Sequence, residues 1–283
     1  MTLHTSIRRI FSGAAALAAF CCLTGPAGGA LCETIRINGS GAPLEMLKPL
    51  ADAYMKNNPN IRIEINKPLG SSGAVKALLA GALDLALSSK QLKPEETAKG
   101  ARAVEYGRTP LMIVTGKGGG KGSVTTRELE DIFSGRTKKW PSGEIIRPVL
   151  RPEGDIDTTI LRKLSTGMDR ALTVAHGQKG ALVAVTDPES NEVLAKTPGS
   201  VGAAALCGFE QQKLPLTVLS LNGVAPTTRN LANGSYPLAK EIRFITTERI
   251  SPPTRRFLDY ALSPKGRVLA EKHGVAFEKT TAQ

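Results

Sequence analysis

Apolar and polar residues alternate over 34–38, and again at Ile61, Ile63 and Ile65, a period of two that predicts two short strands. Between them Leu44, Leu47, Leu50, Ala51 and Tyr54 recur at helical spacing. Pro43 suits a first helical position, Pro49 predicts a kink, and Asn58-Pro59-Asn60 ends the helix. The stretch 70–90 reads as a Gly/Ser loop, a two-turn helix and a buried strand ending in exposed hydroxyls. Downstream the pattern predicts a surface helix over 94–100, a strand over 111–114, and a capping box at Thr125 and Glu128 that opens a helix ending at Ser134-Gly135. Strands follow at 146–150, 216–221 and 242–246, with apolar segments at 182–185 and 201–206. Helices run to Leu164 and over 255–262 and 265–273. Strands alternating with helices predict an α/β sheet.

The first thirty residues break this rhythm. Arg8 and Arg9 precede an apolar run over 10–23, and Gly25-Pro26-Ala27-Gly28-Gly29-Ala30 offers the small residues of a cleavage site. The run is shorter than the roughly 20 apolar residues of a membrane span. An export leader over 1–30 and a periplasmic mature chain are therefore expected. Losing the leader takes Cys21 and Cys22 away, leaving Cys32 and Cys207 either bridged or, at Cys207, as a buried thiol.

Charge and chemistry narrow the function. The net charge of +12 falls to +10 without Arg8 and Arg9 and can steer anions. Aromatic residues are only 4% and the basic residues are scattered, which argues against nucleic acid as a partner. Beyond His4, only His176 and His273 are present, without metal spacing, so no metal, cofactor or catalytic residue is expected. His176 reads as a surface-loop residue. The Gly/Lys loop over 116–122 lacks the hydroxyl that must follow a P-loop lysine, since Gly122 follows Lys121. Gly70-Ser71-Ser72-Gly73 is different. A Gly/Ser loop entering a helix turns free N–H groups outward to cradle an oxyanion, although the same residues also make an ordinary capped helix start.

Several stretches together resemble the phosphate-receptor family of periplasmic solute-binding proteins of ABC importers. They are Gly39-Ser40-Gly41-Ala42, Gly70-Ser71-Ser72-Gly73, Asp84-Leu85-Ala86-Leu87-Ser88-Ser89, Leu129-Glu130-Asp131-Ile132-Phe133-Ser134-Gly135 with Trp140, Ser220-Leu221-Asn222-Gly223 running to Thr227, Asn233-Gly234-Ser235-Tyr236-Pro237-Leu238, and Phe257-Leu258-Asp259-Tyr260 running to Gly266. The resemblance implies an α/β, two-lobed periplasmic-binding-protein (type II) fold with a ligand cleft between the lobes. It places lobe 1 at 31–112 and 237–283, and lobe 2 at 113–236. It also implies a monomer that captures a small oxyanion, phosphate first, and hands it to an ABC permease. Ser71 and Arg151 match the family's hydroxyl and its anion-clamping Arg, with Ser40, Ser72 and Ser89 beside them. Other positions depart from the pattern. Pro43 replaces a Thr, Leu44 an aromatic, and Ser89 the proton-accepting Asp, a role left to Asp84 or Asp155. In the fourth loop Asp155 and Asp157 stand where hydroxyls and glycine N–H groups are expected, either repelling an anion or simply capping a helix. A receptor for another solute, or an exported sensor on the same scaffold, is the alternative.

Overall fold

Alternation in the first strands buries Ile35, Ile37, Leu85 and Leu87 against the apolar stripe Leu44, Leu47 and Leu50 of the first helix. The computed structural model describes residues 32–277 except Lys121, so the expected leader with Cys21 and Cys22 lies outside the described residues. The chain begins β1 (Glu33–Gly39), α1 (Gly41–Asn57), β2 (Ile61–Ile65), α2 (Gly70–Leu79), β3 (Leu85–Ser88), α3 (Pro94–Ala98) and β4 (Ala101–Thr115). It continues through β5 (Ser123–Val124), α4 (Thr126–Phe133), β6 (Arg147–Leu150), α5 (Ile156–Arg162), α6 (Thr166–Gly177), β7 (Leu182–Val183) and α7 (Asp187–Lys196). The last part is β8 (Ser200–Ala205), α8 (Phe209–Gln212), β9 (Thr217–Leu221), α9 (Thr228–Ala232), β10 (Ala239–Thr247), α10 (Pro252–Leu262) and α11 (Pro264–Lys272).

The strands join in the order β2-β1-β3-β10-β4-β8-β6-β7, with β9 beside β4 and β5. β1 runs parallel to β2 and β3, and β10 lies antiparallel between β3 and β4. β4 is shared. Its residues from Ala101 to Pro110 pair with β10, and those from Leu111 to Thr115 pair with β8 and β9. At the changeover Leu111 donates its N–H to the Leu238 carbonyl and accepts a bond from the Tyr236 hydroxyl, 2.9 and 2.8 Å away. The result is a two-lobed α/β fold whose halves share one long strand.

Three sequence expectations change here. Ser88 and Ser89 are buried rather than exposed, because Ser88 Oγ turns back onto Lys90 and the Ser89 N–H donates to Ser71 Oγ. β4 starts ten residues before the expected 111, since its first half mixes exposed charges with buried positions as it pairs with β10. His176 belongs to α6, a helix the pattern did not reveal, and its Nε2 lies 2.8 Å from the Arg151 carbonyl. α1 passes Pro49 without a break. The Thr125–Glu128 capping box opens α4 as expected. Both described cysteines are free: Cys32 is exposed and Cys207 buried, its N–H donating to Thr109 Oγ1 at 2.9 Å.

Candidate functional site

A cavity of about 210 Å³ lies where the first turns of α1, α2, α5 and α7 meet, with Lys90 and Arg151 in its wall. Local chemistry differs among those helix starts. Asp155 caps α5 by accepting the Asp157 N–H at 2.9 Å, and Thr186 caps α7. α2 carries no side-chain cap, so its first N–H groups remain free for an anion, whereas at the start of α1, also uncapped by Ser40, the Ala42 N–H faces the Asp187 carboxylate and Pro43 has no N–H. Ser71 is therefore no cap, and the plain capped-start reading of its loop does not hold. Gly70, at φ +71, makes the left-handed turn into α2. Asn38 pins that turn to β1: its Oδ1 accepts the N–H groups of Gly39 and Leu69, each at 2.8 Å, while its Nδ2 donates to the Lys67 carbonyl. Across the cavity mouth Lys90 Nζ donates to the Gly154 carbonyl at 2.5 Å.

Behind the cavity sits a buried charge cluster. Arg151 Nη2 meets Asp155 Oδ2 at 3.1 Å and Asp187 Oδ2 at 3.7 Å, and its Nε lies 3.9 Å from Asp157. Lys240, fully buried on β10, holds Asp157 at 2.8 Å and Asp187 at 2.5 Å. Three carboxylates thus face two cations. Burial raises Asp157 to about 6 even though Lys240 opposes the shift. Burial also acts upward on Asp187, but Lys240, Arg151 and the Ala42 N–H of α1 outweigh it and hold this carboxyl below its usual range. A β-carbon on Gly41 would come within 2.8 Å of Asp187 Oδ2, so glycine is what admits this carboxylate to the α1 terminus. Arg151 Nη1, by contrast, is buried and has no hydrogen-bond partner.

Of the residues expected from sequence, Ser40, Ser71, Ser72, Arg151 and Asp155 line this cavity together. Ser89 lies just behind, its Oγ 3.4 Å from Ser40 Oγ. Leu44 is in the hydrophobic core, 1% exposed, and not in the cavity wall. Asp84 is occupied elsewhere by a bidentate pair with Arg36, so it does not stand in for the acceptor missing at Ser89. Asp155 caps α5, one of the roles considered for it, and it also contacts Arg151.

Sequence reasoning missed Lys240 and Asp187. Lys240 had a readable signal: it shares the buried face of the alternating run Leu238, Ile242 and Phe244, where a lysine demands a partner. Asp187 had none, because Thr186-Asp187-Pro188-Glu189 reads as a plain capping box.

Comparison with known proteins agrees with this architecture. Residues 24–265 match the family model described as a PBP superfamily domain. The Phosphate-binding protein PstS of Bacillus subtilis is 26% identical over 81% of this chain and 75% of its own length. Protein SphX of Synechococcus elongatus is 26% identical over 84% and 75%. Among solved structures, a phosphate ABC transporter substrate-binding protein from Clostridium perfringens with bound phosphate superposes with a TM-score of 0.72 at 20% identity. That match covers 87% of this chain and 100% of the other. With its shared crossing strand and its four helix starts around one cavity, this chain belongs to the PBP superfamily.

Proposed function

We propose that this protein is an exported solute-binding protein that captures a small oxyanion, inorganic phosphate first, in the cavity beside Arg151. One observation carries the reading: a buried guanidinium with an unpartnered Nη1 belongs to the wall of the same cavity as the uncapped start of α2. Its planar fork suits two oxygens of a tetrahedral anion, and free helix N–H groups suit the rest. Relatives named for phosphate binding, and a similar structure holding phosphate, support that choice. In this reading the protein works as a monomer in the periplasm after losing residues 1–30, and it delivers cargo to an ABC permease. Lobe 1 comprises 31–112 and 237–283 and lobe 2 comprises 113–236, with the Leu111–Leu238 crossing as the hinge about which the cleft closes.

A thermal-shift panel of phosphate, sulfate, arsenate and organic phosphates tests this. Phosphate is expected to raise Tm progressively with concentration, as mass action requires. Arg151→Ala is expected to weaken phosphate binding roughly tenfold or more. Silence from every anion would refute the oxyanion reading, and unchanged affinity in the variant would remove Arg151 from the site. The carboxylates on Arg151 favour one second reading, a receptor for a different solute; a response to organic phosphates alone would select it.

A further inference from the structure

We propose that anion capture in this cleft is coupled to uptake of a proton, and that Asp157 is the residue that takes it. This rests on the phosphate-binding reading above and adds to it the charge state in which the site accepts its ligand. Arg151 and Lys240 supply two positive charges, and Asp155, Asp157 and Asp187 supply three negative ones, all within a few ångströms. The side chains of Arg151, Asp157, Asp187 and Lys240 are each at most 7% exposed, so water screens them little. A dianion arriving at Arg151 Nη1 would join a cluster that is already negative, and like charges in a poorly solvated site cannot all stay ionised. One proton on Asp157 leaves Arg151 with Asp155 and Lys240 with Asp187, a neutral surround with Nη1 still free.

Geometry selects Asp157 from the three. Asp187 has Lys240, Arg151 and the Ala42 N–H, the strongest set of partners for an ionised carboxylate. Asp155 is 20% exposed, holds Arg151 at 3.1 Å and accepts the Asp157 N–H. Asp157 is 2% exposed, is farthest from Arg151 at 3.9 Å, and shares Lys240 with Asp187. The groups facing it elsewhere do not supply the missing charge. From the turn after β8 comes the Cys207 thiol, which burial keeps protonated. From α6 comes His176, which meets the Arg151 carbonyl. Lys90, at the cavity mouth, is bonded to the Gly154 carbonyl. The upward displacement of Asp157 before any anion arrives points the same way.

The sign follows. If the bound form holds more protons than the free form, binding weakens as pH rises. Calorimetric titration of the purified protein with inorganic phosphate near pH 8, where the free ligand is essentially the dianion, in two buffers of different ionisation enthalpy, counts the protons. The expected count is about one taken up per phosphate, with Kd rising about tenfold per pH unit above neutrality. Asp157→Asn carries the neutral form permanently. It is expected to abolish the uptake and to bind phosphate about tenfold or more tighter than wild type near pH 8, a gain that structural damage would not give. Should that variant not fold, Asp157→Ser, which also lacks the titrating carboxyl, takes its place and is expected to lose the uptake, since the wild-type count alone does not separate a proton on Asp157 from one on the phosphate. Phosphate binding with buffer-independent heat, or an Asp157→Asn protein that keeps the wild-type count, would overturn the proposal. Absence of phosphate binding from about pH 5.5 to 8 would instead overturn the phosphate reading, and this inference with it.

Discussion

Lys240 is the residue on which the buried cluster turns, since among the described residues it alone touches both Asp157 and Asp187 within 3 Å. Removing one member of a buried ion pair leaves the other uncompensated, typically at a cost of about 3–5 kcal/mol. Lys240→Met is therefore expected to lower stability by about that much in urea melts near neutrality. The loss should shrink as pH falls from the alkaline side, because without Lys240, which opposes the upward shift, the buried Asp157 takes up a proton at higher pH than it does in wild type. Asp187 works in the opposite direction. Its carboxyl is held down in the fold, so the stability it contributes is present above the ordinary aspartate range and is lost as pH falls below it. Acid titration of wild type should accordingly show a gain near pH 6 followed by a loss well below pH 4. At this scale the sequence disclosed what is local. Ser71 in the first turn of α2, and Arg151 and Asp155 in the loop before α5, have a chemistry that can be read from neighbours, whereas the Lys240–Asp187 contact joins strand to helix across 53 residues and exists only after folding.

Elements hold the cavity in shape through close approaches. β1 and β3 come so near at Gly39 that an added β-carbon would lie 2.3 Å from the Leu87 carbonyl oxygen, a backbone atom that cannot swing away. The same carbonyl accepts the Ser40 N–H at 3.0 Å and so fixes where α1 begins. Gly39→Ala is expected to cost about 1–3 kcal/mol by overpacking. It should also weaken phosphate binding by displacing the α1 terminus, which thermal melts with and without phosphate would separate. Gly39 stood in the quoted motif, but its reason, a strand-to-strand contact, is tertiary. Elements were legible where one face is apolar and the other polar, as in β2 and α4. They were hidden where that contrast fades, as in α7, which buries Asp187, Ser190 and Asn191 as well as Leu194.

Across the whole molecule, one strand and one return crossing tie the halves together. Leu111 is clasped at its N–H by the Leu238 carbonyl and at its carbonyl by the Tyr236 hydroxyl, one backbone bond and one phenol. The two-lobed outline was visible in the order of motifs, but the depth of β4's run through both halves was not, because polar residues interrupt its first ten positions. Cys207 sits in the core near this junction, fully shielded, its thiol pushed up to about 12 by burial, while Cys32 is open to solvent at the start of β1. A thiol reagent meeting the leaderless protein should therefore modify one sulfur at once, and the second only when the core itself opens. The slow reaction would time global unfolding from within, and phosphate should lengthen it by the factor that its binding adds to stability. The fast one supplies a single natural point of attachment for dyes or surfaces.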